Sequence, residues 1–232
     1  MGSYLFANQY QNEVIPEDEQ SFRQDWFKYF DQVPAGCYKF VFVDPAIGQK
    51  DHHDYTAIVV VECDHLGVWY VSVANRYRLT PTQLVDKLFQ LHAHLNVQAI
   101  GIEQVAYQEA LLYMIAEEMR RRKVTLPVKG ITRNKTSKQT RILGLVPRFE
   151  WGHVYLAHGL TNLEDELLSF PRGSFDDLSD ALASLEELVH YPTKPEVKIE
   201  KPNSAADPRY EHWYINQLAR GIKPEAETEE FL

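Results

Sequence analysis

Cysteine is scarce in this sequence, which has 232 residues but only two thiols, Cys37 and Cys63. Two thiols cannot staple a secreted scaffold or build a cysteine-rich zinc module. Apolar runs approaching about 18 residues are also absent, so no segment is long enough to span a membrane as a helix. The N-terminus lacks the charged-then-apolar pattern of a secretory signal. We therefore expect a cytosolic protein that does not interact with membranes.

Several catalytic motifs are missing as well. The sequence contains no GxxxxGK[ST] phosphate loop, so this chain by itself is not expected to hydrolyse ATP. Its nine histidines include no HExxH pair and have no cysteine partners at zinc-site spacing. His52 and His53 are adjacent in a polar loop, where histidines are more often solvated than metal-bound. No serine or cysteine lies in the sequence context of a nucleophile elbow.

Positive charge is in deficit overall but is concentrated in one segment. The sequence has 24 Lys and Arg against 33 Asp and Glu, for a net charge of −9. Residues 119–148 hold ten cations and no acid, so they carry +10 and the remainder carries −19. Arg120–Lys123 fit a basic helix end that complements its own dipole. The stretch Ile131–Arg141 mixes cations with Thr, Ser and Asn, which predicts phosphate binding.

The hydrophobic pattern predicts a mixed α/β domain. Apolar and β-branched runs at 38–43, 55–62 and 68–76 predict three strands in an antiparallel meander. Shorter strands at 97–102 and 126–129 follow predicted helices, so they should be parallel with right-handed crossovers. The sequence therefore predicts a five-stranded core sheet flanked by helices.

The ends of this domain are predicted less directly. Phe22, Trp26, Phe27 and Phe30 recur at helical spacing and predict a short helix. Residues 153–156 predict a short edge strand, and residues 176–190 predict the last core helix. Residues 192–232 begin with a proline-rich polar stretch typical of a linker or tail.

Five carboxylates stand out because of where the predicted elements begin and end. Asp44 ends the first strand and Glu103 ends the fourth. If those strands are neighbours, the two acids lie side by side, and the start of the last helix could join them there. Carboxylates converging in this way need cations, and oxygen-only ligands favour Mg²⁺ or Mn²⁺. The helix start contributes three candidates: Asp176, Asp177 and Asp180.

Each acid also has a structural explanation that the sequence leaves open. Asp44 precedes a proline and fits a turn, and Glu103 fits an exposed strand end or a helix N-terminus. Ser174 and Asp177 have the spacing of a capping box. Asp54 is a weaker metal candidate, since it lies just before the second strand.

The residues that surround these acids resemble a known family. The sequence resembles the C-terminal nuclease domain of the large terminase subunit of tailed bacteriophages. The segments that carry this resemblance are FANQYQNEVI near the start, FVFVDPAIG, DYTAIVVVE, IEQVAYQEAL and DELLSFPRGSFDDLSDALA. KTSKQTRILGLVPRFEWGHVYL is also similar to this family, and the resemblance spans nearly all of residues 4–190. Family members often have histidine at the position of Phe175.

The resemblance implies a fold, an activity and a site. The fold would be ribonuclease H-like, with three antiparallel strands followed by parallel ones. Residues 1–36 would be a tag remnant and a linker from a missing ATPase domain, 37–191 the nuclease domain and 192–232 a tail. Asp44, Glu103 and Asp177 would be the catalytic metal-binding acids, with Asp176 in support. The cofactor would be Mg²⁺ or Mn²⁺, with two ions expected.

The resulting expectation is an endonuclease that cuts double-stranded DNA concatemers during viral genome packaging. The ATPase domain of the same subunit, the portal and the small terminase subunit would be partners, in the host cytoplasm and not in the mature virion. Two alternatives remain: a junction-resolving or transposase-like nuclease of this fold, or a catalytically silent portal-docking module. The cations expected to hold the DNA backbone are Lys129, Arg133, Lys135, Lys138, Arg141 and Arg148.

Overall fold

Seven strands form one mixed sheet within the part of the chain that the structure, a computed structural model, describes. The described residues are 21–45, 55–103, 108–131 and 136–192. In chain order the strands are β1 (Lys28–Phe30), β2 (Tyr38–Asp44), β3 (Thr56–Cys63), β4 (Trp69–Tyr77), β5 (Ala99–Glu103), β6 (Val128–Ile131) and β7 (Val154–Ala157). Their order across the sheet is β1-β7-β4-β3-β2-β5-β6.

The predicted meander and crossovers are present in this sheet. β3 pairs antiparallel with both β2 and β4, and a bulge interrupts the β3–β4 register at Val60 and Val61. β5 runs parallel to β2 and to β6. β7 pairs parallel with β4 on one side and with β1 on the other. The parallel strands require crossover connections, and helices supply them.

Six helices cover the two faces of the sheet in the described ranges. One face carries α1 (Pro81–Leu95) and α2 (Gln108–Arg122), which contribute Leu88 and Ile115 to a core with Val41 and Val43. The opposite face packs around Phe40 and Phe42. It carries α3 (Lys138–Leu143), α4 (Val146–Glu150), α5 (Thr161–Ser169) and α6 (Asp177–Ser184).

Strand β2 shows why both faces are covered. Its residues alternate between the two cores, because successive side chains of a strand point to opposite faces. Every residue of β3 is buried as well. A central strand that is buried on both sides reads as a continuous apolar run, as the sequence of β3 does.

The prediction of a helix over the aromatic residues at 22–30 is wrong. Gln24–Trp26 form one turn of 3₁₀-helix, and Lys28–Phe30 form the edge strand β1. Phe22 and Phe27 are buried against Phe149, with ring centroids 5.4 Å and 5.6 Å apart. These aromatic side chains are therefore buried by tertiary packing rather than by a helix of their own. Because β1 pairs with it, β7 is an internal strand and not the predicted edge strand.

The helix bounds also differ from those predicted. The last helix begins at Asp177, ends at Ser184 and continues only as a 3₁₀ turn over Leu185–Glu187. Asp176 is its N-cap residue, so the Ser174–Asp177 capping box, the structural alternative that the sequence left open for Asp177, does not form. Across the described ranges, no helix combines the length and hydrophobicity that crossing a bilayer requires.

Candidate metal and nucleic-acid site

Asp44 and Glu103 end neighbouring parallel strands. Val43 lies opposite Ile102 in the β2–β5 register. One step further along that register pairs Asp44 with Glu103, the last residue of each strand. Adjacent strands lie about 4.8 Å apart. The predicted neighbourhood of the two acids at one end of the sheet is therefore present.

Both acids extend from the same face of the sheet. Asp44 alternates in phase with Phe42, which faces the core under α6. Glu103 is in phase with Gly101, where a Cβ atom would lie 2.4 Å from Leu188 Cδ1 and 2.9 Å from Phe42 Cδ2 in the same core. Gly101 is thus the residue that admits this close packing. Glu103 itself is only 3% exposed.

Helix α6 packs against β2 and β3 on this face and brings a third group of acids. Its first turn contains Asp177 and Asp180, and Asp176 immediately precedes it. Asp176 and Asp177 are partly exposed, whereas Asp180 is 2% exposed. The three acids of one helix start therefore differ in environment.

Lys138, at the start of α3, binds the two exposed acids of this helix start. Its Nζ lies 2.6 Å from Asp176 Oδ1 and 3.4 Å from Asp177 Oδ1. Burial lowers the pKa of Lys138, but Asp176, Asp180 and Asp177 together outweigh it, and the net pKa is raised. The ammonium group therefore remains charged at neutral pH, and the acid pair already holds one cation.

Asp180 belongs to a buried ion pair that joins α3 to α6. Arg141 Nε and Nη2 donate to Asp180 Oδ1 at 3.0 Å and 2.7 Å, and Nη2 also donates to Oδ2 at 2.9 Å. The side chains are 13% and 2% exposed. Charge-assisted pairs with this geometry hold two elements in a fixed orientation. Asp180 and Arg141, predicted as metal and DNA ligands, thus contact each other.

The carboxylates of the two strand ends and of the α6 start suit a hard divalent cation. Asp44, Glu103, Asp176 and Asp177 offer carboxylate oxygens, the ligands that Mg²⁺ and Mn²⁺ prefer. The Lys138 ammonium shows that the Asp176–Asp177 pair accepts a positive charge. Within the described ranges, no three His, Cys, Asp or Glu side chains already stand close enough to hold one ion.

The other predicted nucleic-acid ligands lie in three kinds of place. Lys129 is exposed on the edge strand β6, opposite Gly101. Arg133 and Lys135 fall outside the described residues, as does the weaker metal candidate Asp54. Lys138 and Arg141 pair with acids of α6 as described above. These assignments to DNA binding remain predictions. The exposed side chain of Lys129 is accessible to a DNA backbone.

Arg148 lies at the other end of the sheet. It pairs with Glu186, donates to the Gly67 carbonyl at 3.2 Å and covers the Trp69 ring at 4.2 Å. Trp69 pairs with Cys63 in the β3–β4 register, and Cys63 pairs with Tyr38, the first residue of β2. Tyr38 and Asp44 are six residues apart, which is about 20 Å along a strand. Arg148 is thus remote from the paired acids.

Part of the basic segment is neutralised locally. Arg120 pairs with Glu117, Arg121 with Glu118, and Arg122 with both Glu118 and Asp86. These arginines form the end of α2, as the dipole explanation of the sequence allowed. The +10 segment is therefore not one continuous cationic surface.

A second buried polar cluster, formed by Arg76, Glu166 and Ser179, was not predicted from the sequence. Glu166 is 3% exposed and accepts from Arg76 and from Ser179. Burial raises the pKa of Glu166, although Arg76 and Ser179 act to lower it. One signal was available, since Glu166 is an acid between Leu163 and Leu167 on the apolar face of α5. A charged residue on such a face usually has a partner.

Comparison with known proteins identifies the relatives of this chain. Residues 41–187, more than half of the chain, match the family described as Terminase RNaseH-like domain. The magnesium-bound large terminase nuclease of thermophilic phage G20c gives a TM-score of 0.53 at 16% identity, covering 76% of this chain and 100% of that one. A search of curated proteins found no match.

A second solved structure extends the comparison to a longer protein. The large terminase of another thermophilic bacteriophage, in complex with ADP, gives a TM-score of 0.51 at 14% identity. The match covers 71% of this chain but 42% of that protein. At these identities the likeness concerns the fold. Together with the family match, it confirms the predicted ribonuclease H-like architecture.

Proposed function

This chain belongs to the family of terminase RNase H-like domains, and from that membership we propose that it is a divalent-metal-dependent endonuclease. Its substrate is double-stranded DNA, cut from concatemers during viral genome packaging. The observation that carries the proposal is the β2–β5 register, which makes Asp44 and Glu103 neighbours at one strand end. The G20c nuclease, solved with magnesium, supports a divalent metal.

Asp44, Glu103 and Asp177 are the catalytic metal-binding acids in this proposal. Asp176 supports them or contributes to a second ion, and Asp180 orients the helix start through Arg141. Two such ions, if held by these residues, would supply activation of a water molecule and stabilisation of the leaving oxygen at phosphorus. The carboxylates also keep the site negative, so it excludes phosphate until cations neutralise it.

Lys138 has two roles in this proposal. Its ammonium group neutralises Asp176 and Asp177 when no metal is present, which limits repulsion at the helix start. If Asp176 and Asp177 held a divalent cation, the Lys138 ammonium would no longer be needed there and could contact a DNA phosphate instead.

The DNA backbone approaches the edge of the sheet next to β6. Lys129 is exposed there, and Arg133 and Lys135 are proposed to extend the contact. Contacts to phosphates carry no base identity, so cutting is expected to be largely independent of sequence. The local pairing of Arg120, Arg121 and Arg122 leaves these residues outside the proposed surface.

The organisation of the complete subunit is part of the proposal. The boundary predicted at residue 37 lies too late, because β1 (Lys28–Phe30) belongs to the sheet and Phe22 belongs to its core. The nuclease domain therefore includes these residues, the linker from an ATPase domain is proposed to lie before them, and residues 192–232 are the proposed tail. The portal and the small terminase subunit are the proposed partners. The proposed location is the cytoplasm of the infected host.

A plasmid-nicking assay in Mn²⁺ tests the activity. The wild-type chain is expected to relax supercoiled plasmid only when the metal is present. Asp44→Asn and Glu103→Gln remove proposed ligands, so each should lower the rate by more than the roughly 10–100-fold typical of groups that only support a ligand. Glu62→Gln is the matched control, because Glu62 is a buried acid near the opposite end of β3.

The control should cut at the wild-type rate. Full activity of folded Asp44→Asn or Glu103→Gln would overturn the site assignment. Metal-independent cutting by the wild type would overturn the proposed chemistry.

A further inference from the structure

The first turn of α6 receives its capping acceptor from another helix. The first amides of a helix have no partner within it, and Asp176, the N-cap residue, makes no side-chain capping bond. The Ser179 amide instead donates to Glu166 Oε2 at 2.9 Å, and the Ser179 hydroxyl donates to the same oxygen at 3.1 Å. Glu166 belongs to α5, so α5 caps the helix that carries the proposed metal acids.

The second carboxylate oxygen of Glu166 is bound by Arg76, on β4. Arg76 Nε donates to Glu166 Oε1 at 3.1 Å, and Nη2 contacts the same atom. The Arg76 and Glu166 side chains are 15% and 2% exposed. One carboxylate oxygen of Glu166 thus binds Arg76 of the sheet, and the other binds Ser179 of α6. Glu166 therefore links the start of α6 to strand β4.

Arg76 also contacts the residue before the acid pair. Its guanidinium lies over the Phe175 ring, 4.2 Å from the centroid. Phe175 precedes Asp176, and Ser179 follows Asp177 by two residues. The Arg76–Glu166 pair therefore holds the chain on both sides of Asp176 and Asp177.

We propose that Glu166, anchored by Arg76, is a positioning residue that fixes the first turn of α6 so that Asp176 and Asp177 can bind a divalent cation. The role in metal binding rests on the proposed function; the role in holding the helix start does not. Glu166 contacts neither ion nor DNA and acts through the Ser179 amide. Partners that support a ligand in this way commonly alter metal affinity by 10–100-fold.

Two substitutions separate the effect of the side-chain length of Glu166 from the effect of its charge. Glu166→Asp keeps the charge and the pair with Arg76 but is one methylene shorter, so it cannot bind Arg76 and Ser179 together. Glu166→Gln keeps the reach and loses the charge. The Arg76 side chain is 15% exposed, whereas the Ser179 amide is held in the first turn of the helix, so the Gln amide oxygen is expected to accept from Ser179.

A purely electrostatic role and a positioning role then predict opposite orders. If Glu166 only neutralises Arg76, Gln is the damaging change and Asp is mild. If Glu166 positions α6, Asp weakens metal binding more than Gln does. Thermal stability serves as the second readout, because the Gln variant, with Arg76 unpaired, should be the less stable of the two.

The experiment measures Mn²⁺ binding to the full chain without DNA, by electron paramagnetic resonance of free Mn²⁺. Glu166→Asp is expected to raise the dissociation constant about tenfold, and Glu166→Gln by less than about threefold, below the usual range for such partners. Hydrogen exchange of the Ser179 amide is measured on the same proteins without metal. It should be faster in the Asp variant than in the wild type, while exchange in the central strands is unchanged.

Asp86→Asn is the matched control. Asp86 pairs with Arg122, whose guanidinium lies 4.4 Å from the Phe89 ring centroid, on the opposite face of the sheet. This cluster likewise combines a carboxylate, an arginine and an aromatic ring, and its helices pack on the face of the sheet opposite to α6. The control should leave both the Mn²⁺ affinity and the Ser179 exchange unchanged.

The outcomes distinguish this inference from the proposed function. Wild-type affinity in Glu166→Asp, or a greater loss in Glu166→Gln, overturns the positioning role in metal binding. Unchanged Ser179 exchange in Glu166→Asp overturns the capping role whether or not the protein binds metal. If the wild type neither binds Mn²⁺ nor cuts DNA, the proposed function and the metal role fail together, and Ser179 exchange still decides the capping role.

Discussion

Replacing Arg141 with methionine should destabilise the whole domain. The substitution keeps an apolar stem of similar length but removes three hydrogen bonds to Asp180, which is 2% exposed. Breaking a buried pair in this way typically costs about 3–5 kcal/mol, because a charge is left in a poorly solvated place. A domain of this size loses roughly 2–4 °C of melting temperature per kcal/mol. We therefore expect Arg141→Met to melt about 6–20 °C below the wild type.

Differential scanning calorimetry at neutral pH measures this change. Arg120→Met is the matched control, because Arg120 pairs with Glu117 on one helix and both side chains are largely exposed. Such exposed pairs contribute no more than about 1 kcal/mol. The double variant Arg141→Met/Asp180→Leu removes both charges and should recover most of the lost stability.

A melting temperature for Arg141→Met within about 2 °C of the wild type, less than 1 kcal/mol of stability, would refute the reasoning. So would a double variant that melts below the single one. Either result would mean that the pair does not hold α3 against α6, and that Arg141 is available for another role, such as the predicted contact with DNA.

Two further predictions concern the cations around the site. Lys138→Gln should bind Mn²⁺ about fivefold more tightly without DNA, because the partly exposed ammonium, whose ion pair contributes about 1 kcal/mol, no longer competes for Asp176 and Asp177. Titration with Mn²⁺ at constant ionic strength measures this affinity. Unchanged or weaker binding would contradict the prediction. Lys129→Gln should weaken DNA binding for every sequence and reduce the salt dependence by about 0.9 in log–log slope. Lys28→Gln, on the edge strand at the other side of the sheet, is its control, and equal slopes for the two variants would argue against contact at β6.

The two strand-end acids were predictable from sequence, because their position depends on local pattern. Asp44 and Glu103 each follow an apolar run, and strands joined through helices tend to be parallel. Parallel neighbours end at the same side of a sheet, so the juxtaposition required only that the first and fourth predicted strands be neighbours. The sequence left that as a condition, and the β2–β5 pairing fulfils it. The fold class followed from the same pattern, together with the resemblance to terminase nucleases.

The ion pairs were not predictable, because they join residues far apart in sequence. Arg141 meets Asp180 over 39 residues, and Arg76 meets Glu166 over 90. The charges of Arg141 and Lys138 were visible in the sequence, but composition cannot tell whether a cation faces phosphate or a carboxylate of its own chain. Only the packing of α3 against α6 decides that.

The helix prediction around Phe27 was wrong for a related reason. Aromatic residues at helical spacing predict a helix only if that segment buries them by itself. Here Phe22 and Phe27 pack on Phe149 from an irregular segment, and Lys28–Phe30 pair with β7. A strand of only three residues is too short to leave a periodic signal in its own sequence.

The most direct test of the central claim is anomalous scattering from Mn²⁺ in crystals of this chain. We predict manganese peaks bound by the carboxylates of Asp44, Glu103 and Asp177, with the Lys138 ammonium displaced from Asp177. Absence of manganese from these acids at millimolar concentration, or its binding elsewhere while Lys138 stays on Asp176 and Asp177, would contradict the account.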